Sequence, residues 1–251
     1  MTVHPTAEKG FTDGVGAYER ARPGYPPEVV DLLAAELGLG PGRTVVDLGA
    51  GTGKLTRLLP PTGARVVAVE PVAAMRDTLA RLVPEAEVVD GTAEAMPLED
   101  GSADAVTVAQ AFHWFDAPAA LAELARVLRP GGGLALLWNT RDESEPWVAE
   151  LSRLIHWHDS PIPTYDRDRD WPGVVAASGR FTPVEHRRFH HDQEMGADLL
   201  VERVLSTSYI AAKPAGERER IAADVRGLVD GFPERFPLPY VTDVYWCRRD
   251  G

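Results

Sequence analysis

Three glycines follow a short apolar run in VVDLGAGTGKLT (45–56), and a carboxylate, Asp47, stands two residues before the first of them. Gly49, Gly51 and Gly53 let backbone approach a ligand with no Cβ in the way, and the first turn of a following helix offers unpaired amide donors. A ligand-free strand-to-helix turn is the bland alternative; three glycines at this spacing after an apolar strand favour a nucleotide-like ligand. Missing parts narrow the choice. A dinucleotide site needs a small residue three positions after the second glycine, where this chain has Lys54. A Walker A loop needs a hydroxyl residue after Gly-Lys, and here Leu55 follows Gly53-Lys54. Asp47 beside the turn disfavours a phosphate and suits a cation.

Glu70 closes the next apolar run, RVVAVE (65–70), with Pro71 after it. At the carboxyl edge of a parallel sheet an acid in this place can accept both hydroxyls of a ribose. After the third run, VVDGTAEAMPLEDGSAD (88–104) offers Asp90, then Gly91, Thr92 and Ala93, small enough for a flat ring to slide against the loop, and then Glu94. AQAFHWFD (109–116) ends a fourth run with Gln110, His113 and Trp114, polar and aromatic groups at the edge where open α/β folds bind ligands. His113 has three readings: a base that deprotonates a hydroxyl acceptor, a donor to a carboxylate acceptor, or a residue that only fixes its loop.

These residues need elements that bring them to one edge. Between 27 and 138, short β-branched runs alternate with helical patterns, the signature of an α/β fold with a doubly wound, mostly parallel sheet covered by helices on both faces. Helices are expected over 26–37, 54–60, 71–83 and 118–128, and strands over 44–49, 65–70, 85–91, 103–112 and 132–139. After Asn139 the alternation loosens: a helix over 147–158, a Pro- and Asp-rich loop over 160–173, an extended segment over 180–195, helical patterns over 197–208 and 215–230, and a closing strand over 238–250. This half should complete the sheet and place helices over the cleft.

The 251 residues, 44% hydrophobic, are enough for one large α/β domain with its own core. With 26 basic against 38 acidic side chains and a net charge of -12, the chain is a poor candidate for nucleic acid, whose binding rests on clustered Lys and Arg. No apolar stretch approaches a membrane span and no signal pattern opens the chain, so the expectation is a cytoplasmic protein without a membrane partner. Cys247 is the single cysteine and reads as a buried strand residue. His156, His158, His186, His190 and His191 are scattered, and no metal site is expected.

VVDLGAGTGKLT, the acid in VVAVEP, DGTAEAMPLEDGSAD and ARVLRPGGGLAL together resemble the motifs of class I S-adenosylmethionine-dependent methyltransferases, over about residues 40 to 138. The resemblance implies a Rossmann-like, seven-stranded fold in a single domain over 1–251, with a cofactor half at about 27–139 and an acceptor half after it. It also implies a cofactor, S-adenosyl-L-methionine, held by Asp47, Gly49, Ala50, Gly51 and Gly53, with Glu70 and Pro71 at the ribose and Thr92 and Ala93 at the adenine. YERARPGYP (18–26) and AQAFHWFD resemble a narrower small-molecule branch that includes trans-aconitate methyltransferase. That likeness adds Tyr18, Arg22 and Gln110 on the cofactor side, Tyr25, His113 and Trp114 on the acceptor side, and His113 as the catalytic candidate. Trp138, Tyr165, Trp171 and Tyr209 are further aromatic candidates for the acceptor pocket. Methyl transfer to an oxygen of a small-molecule acceptor is then the expected activity. The rivals are a nicotinamide-dependent oxidoreductase on the same fold and a cofactor-binding protein without turnover.

Overall fold

The computed structural model describes residues 15–159 and 169–251, except for the side chains of Val15, Ala17 and Tyr18. In chain order the elements are α1 (Val15–Ala21), α2 (Pro27–Leu37), β1 (Thr44–Leu48), β2 (Arg65–Val69), α3 (Ala73–Leu82), β3 (Glu87–Val89), β4 (Ala103–Ala109), α4 (Ala117–Val127) and β5 (Leu128–Arg141). Then follow α5 (Pro146–Leu154), α6 (Trp171–Ala176), β6 (Glu185–Met195), α7 (Ala197–Leu205), α8 (Ser208–Ala211), α9 (Ala215–Leu228) and β7 (Phe236–Arg248).

The boundaries have local causes. Pro27 opens α2, where a missing amide costs nothing, and Gly38 ends it in the left-handed region at φ 71°. Val29, Leu32, Leu33 and Leu37 form its buried stripe. Asp116 caps α4 by accepting from the Ala119 amide at 3.2 Å.

The strands form one seven-stranded sheet in the order β3-β2-β1-β4-β5-β7-β6. β3, β2, β1, β4 and β5 pair in parallel, while β7 runs antiparallel to both β5 and β6. The sheet is therefore mixed, a Rossmann-like arrangement with one reversed strand. That strand is the segment expected to close the sheet, and a chain entering between β5 and β6 from α9 reverses it without a crossover helix.

Three expected helices change, one of them over 147–158, where the α-helix ends at Leu154 and a 3-10 turn, Trp157–Asp159, follows. Over 54–60 the chain forms only 3-10 turns, Thr56–Leu58 and Pro60–Thr62, because Pro60 and Pro61 lack the amides an α-helix needs and Pro60 restricts Leu59 before it. The pattern over 197–208 breaks at Ser206, so α7 and α8 are separate. β5 is longer than expected and runs on through Asn139 to Arg141.

The apolar strand faces are covered on both sides. One core gathers Val46, Val106, Leu121, Leu124, Leu136, Trp138 and Trp171, and the other Val29, Leu33, Leu55, Leu59, Ala105 and Leu137. A third cluster lies outside these layers: α5, α7, α8 and α9 pack Leu151, Ile155, Leu200, Val204, Ile210 and Val225 against Leu238 and Tyr240 of β7. It forms the cap beside the carboxyl edge of the sheet. Cys247 is buried on β7, where burial pushes its thiol up to about 12 and leaves it unreactive. Among the described residues no helix is long and apolar enough to cross a membrane.

Candidate active site

The strand order reverses between β1 and β4, and open α/β sheets take ligands at that crevice. A cavity of about 390 Å³ lies there, lined from β1 by Asp47 and Leu48, from the glycine turn by residues 49–52, and by Glu70 just after β2. Gly49, Gly51 and Gly53 take φ values of 67°, 58° and 85°, which only glycine adopts at little cost. The amides of Gly49 and Ala50 both donate to the Val69 carbonyl, at 2.8 and 3.2 Å, fixing the turn to the end of β2.

Two buried carboxylates face this cradle. Asp47 is 1% exposed and accepts from Thr56 Oγ1 at 2.6 Å and Thr107 Oγ1 at 3.0 Å. Burial pushes its carboxyl up to about 6, against the pull of those two hydroxyls. Glu70 is 5% exposed, with Oε2 on the Gly51 amide and Oε1 on the Val72 amide, both at 2.9 Å. Burial raises its pKa as well, in spite of those amides. Val72, Met75 and Ala93 add apolar lining, and Pro71, Thr92 and Glu94 border the cavity as well.

The N-terminal helix is clasped over the turn. Glu19 of α1 accepts from Thr52 Oγ1 and pairs with Lys54 at 3.2 Å and Arg57 at 2.9 Å. Lys54, the residue that breaks the dinucleotide pattern, is thus an anchor for α1. Farther along, Arg20 pairs with Glu202 and Arg22 reaches the Ser206 carbonyl at 3.4 Å, so α1 also leans on α7.

The loop after β4 adds Gln110, Trp114 and Phe115 to the lining, and Tyr25 and Arg22 line the cavity as well. Gln110 has φ 57°, costly for a residue with a side chain, and is held by a bond from its amide to Leu137 O (2.8 Å) and from Nε2 to Asn139 O (2.9 Å). The structure leaves His113 and Gly53 out of the cavity lining. His113 Nδ1 accepts from Trp138 Nε1 at 3.1 Å, and its ring lies tilted beside that of Trp114. Gly53 sits under Leu79 and Val83, where an added Cβ would come within 3.2 Å of both. Tyr18 belongs to α1, but its side chain is outside the described residues, as is Tyr165.

Trp138 and Trp171 do not line the cavity; they stack at 4.7 Å in the core, and Tyr209 donates to the Ile155 carbonyl inside the cap. Among the described residues no three His, Cys, Asp or Glu side chains gather as a metal-holding group.

Residues 46–136 match the family described as methyltransferase domain. An uncharacterized methyltransferase of Mycobacterium tuberculosis is 44% identical over 237 residues, covering 92% of each chain. The chain belongs to the class I S-adenosylmethionine-dependent methyltransferases. A second uncharacterized methyltransferase, from Schizosaccharomyces pombe, is 34% identical over 89% of this chain and 88% of its own. Among solved structures, one described as a candidate type II methyltransferase from Anaeromyxobacter dehalogenans aligns at a TM-score of 0.67 and 28% identity, over 91% of this chain and 97% of that one.

The cavity fits the family's cofactor. A glycine cradle that a Cβ would fill and two buried carboxylates suit a ligand with positive charge and a pair of hydroxyls. A pyrophosphate fits poorly: after the glycines the methyltransferase has 3-10 turns rather than a helix N-terminus, and the Gly51 amide is already given to Glu70. Several cavity residues escaped the motif reading, among them Met75, Asn139 and Arg203. Arg203 carried a signal, since it shares the i, i+3, i+4, i+7 stripe of Leu200, Val204 and Thr207, and a charge in a buried stripe calls for a reason.

Proposed function

We propose that this methyltransferase acts on an oxygen of a small-molecule acceptor, and that the oxygen belongs to a carboxylate. The state of His113 supports this reading. An indole N–H can only donate, so the Trp138 bond leaves Nδ1 without a proton and puts the proton of the neutral ring on Nε2. Burial, with Arg169 and then Arg22 nearby, pushes the imidazole down to about 3. So weak a base is mismatched to a hydroxyl acceptor near neutral pH, whereas a carboxylate is ionised already and needs no base. The cavity has the size of small-molecule sites.

S-adenosylmethionine, when bound, supplies a methyl group on a sulfonium centre. The chain's part is to hold, align and keep dry. Asp47 and the turn from Gly49 through Ala50 and Gly51 would hold the charged amino-acid end with Gln110, and Glu70 the ribose. Thr92 and Ala93 would flank the adenine, and Trp114 and Phe115 exclude water from the transfer path. Alignment in a closed cleft can supply much of the rate for an in-line displacement.

A panel of carboxylic acids and phenols with methyl-labelled cofactor tests the acceptor. Label should appear in base-labile methyl esters; label confined to phenol ethers or to nitrogen refutes the proposal. In the same assay His113→Ala should retain turnover within about tenfold at saturating acceptor, because a residue behind the cavity lining is not the general base, whose loss would cost roughly 10²–10⁴. A fall of a thousandfold would restore the base reading.

Asp47 gives a pH prediction. The folded carboxyl keeps its proton up to about pH 6, while 3.8 is its ordinary value. The folded state therefore binds the extra proton between these values, and this group's contribution to stability falls as pH rises through that window. Above it, the buried carboxylate costs the cofactor-free enzyme about 3 kcal/mol, which a bound cation offsets. Asp47→Asn should melt higher than wild type at pH 8 without cofactor, yet bind S-adenosylmethionine about tenfold or more weakly. Wild-type affinity should itself drop as pH falls from about 7 to 5. Calorimetric titration and thermal unfolding at both pH values check this, and a pH-independent affinity would remove Asp47 from the cofactor site.

A further inference from the structure

Two arginines are buried where the cap meets the sheet, and among the described residues neither is paired with a carboxylate. Arg203, on α7, is 5% exposed and lines the cavity. Its Nε donates to Tyr240 Oη at 3.3 Å and its Nη1 to Thr207 Oγ1 at 3.5 Å, so most of its five N–H groups have no partner among the described residues. Arg141 ends β5 and is 6% exposed. One Nη2 contact to Ser152 Oγ at 3.4 Å is its only hydrogen bond among the described residues, and its buried Nε has none. Its guanidinium lies over the Trp157 ring, 4.8 Å from the centroid. Glu143, an acid whose field reaches Arg141, is paired with His158 at 3.0 Å.

Such a pair is expensive. A guanidinium stays charged at any ordinary pH, and burying one without a counter-ion costs several kcal/mol. Here the two are also close enough to act on each other: burial first, and then the charge of Arg203, pull Arg141 down to about 10, still cationic at neutral pH. Neutral hydrogen-bond partners, Tyr240, Thr207 and Ser152, do not balance two charges. Position supplies the reason for keeping them. Arg141 follows Asn139 by two residues on β5 and so shares its sheet face, and Asn139 borders the cavity beside Gln110. Asp47 and Glu70 line the same cavity from β1 and from the turn after β2. The cavity thus joins acids beside the glycine turn, suited to the cofactor's positive charge, to a buried cation, Arg203, on the cap helix α7.

We propose that Arg203, backed by Arg141, is an anion-binding site that holds a carboxylate group of the methyl acceptor. Arg203 is the contacting residue. Arg141 is a positioning residue that adds field from behind and whose stacking on Trp157 keeps it in place. The site rests on the carboxylate reading given above and sharpens it, since it names the groups that select an anionic acceptor in a chain of net charge -12. No change in the methyl-transfer chemistry is implied.

The test is equilibrium binding, not turnover. Succinate and benzoate, with succinamide and benzamide as uncharged controls, are titrated calorimetrically into the enzyme saturated with S-adenosylhomocysteine. At least one acid should bind with an affinity that falls with salt, and neither amide should. Arg203→Met should weaken that acid at least tenfold and leave S-adenosylhomocysteine affinity unchanged. Without ligand it should melt no lower than wild type, because an unbalanced buried charge is gone. Arg141→Met, which leaves the cavity lining intact, should weaken the acid several-fold in the same direction and serves as the second variant should Arg203→Met fail to fold. Equal acid affinity in wild type and both variants overturns the proposal. So does equal binding of acid and amide, or no binding of either acid to wild type at about 10 mM, an affinity too weak for a built site. If instead the acids bind through Arg203 but no methyl ester forms from any carboxylic acid, the anion site stands and the assignment of the methylated atom falls.

Discussion

Glu70→Ala is expected to weaken S-adenosylmethionine binding by roughly 10²–10³-fold and to lower stability by about 2–5 kcal/mol, because the side chain has two duties at once. Its oxygens face the cavity, where a ribose would sit, and the same two oxygens receive the Gly51 and Val72 amides at 2.9 Å. Removing the carboxylate leaves two largely buried N–H groups unpaired, each costing about 1–3 kcal/mol, and releases the glycine turn from the end of β2. The conservative change is not mild either. In Glu70→Gln one of the two positions becomes an NH₂ group, a donor pointed at a backbone donor, so one of the two bonds must break whichever way the amide turns. We therefore expect Gln to lose more than a tenfold factor in affinity. Binding and thermal unfolding of both variants provide the check; a Gln variant within threefold of wild type would show that the cradle needs neither the charge nor the second amide bond.

The same residue shows what was legible in the sequence. An acid at the end of the second β-branched run, beside three glycines, could be placed at the carboxyl edge of the sheet from alternation alone, as could Asp47 and Gln110, because strand ends in a parallel sheet fall at one edge. What could not be read is what those groups already hold. Nothing in the spacing says that Glu70 receives the Gly51 amide, or that Lys54 is bound to Glu19 from a helix thirty-odd residues earlier. The helix expected over 54–60 failed for a reason present in the letters, Pro60 and Pro61, where helical spacing of Leu55, Leu58 and Leu59 was allowed to outweigh two absent amides.

The acceptor side was less legible, and for a physical reason. Its residues come from β4, β5, the cap and α1, which meet only through tertiary packing. His113 read as a cavity residue because strand four ends beside it, but Trp138 draws its ring toward the core. Two of the further aromatic candidates went the same way, since Trp138 and Trp171 satisfy the core by stacking on each other, whereas Tyr25 and Trp114 line the cavity. Arg203 lay in plain view inside an apolar helical stripe, while Arg141 needed the length of β5, which sequence alone underestimated by ending the strand at Asn139.

Gly49 and Gly51 look equivalent in the motif, yet their substitution by alanine should separate folding from binding. At Gly49, φ 67° costs an L-residue about 1–2 kcal/mol, and an added Cβ would stand 2.7 Å from the Cβ of Ala111 and 3.4 Å from the Phe115 ring. Ala111 has no flexible end to swing away, so the loop carrying Gln110 and Trp114 must move, and overpacking adds about 1–3 kcal/mol. Gly49→Ala should therefore lower the melting temperature by roughly 5–15 °C and impair cofactor and acceptor binding together. At Gly51, φ 58° carries the same backbone cost, but the nearest atom to an added Cβ is Met75 Sδ at 3.7 Å, an ordinary contact. Gly51→Ala should thus melt only a few degrees low while filling space that Gly51 and Met75 border in the cavity, so its loss appears in S-adenosylmethionine affinity. Melting temperature and cofactor affinity for the two proteins decide the matter. If Gly49→Ala melts like wild type, Ala111 yields freely and the loop after β4 is not tied to the glycine turn; if Gly51→Ala binds cofactor like wild type, the turn's second glycine serves backbone geometry alone.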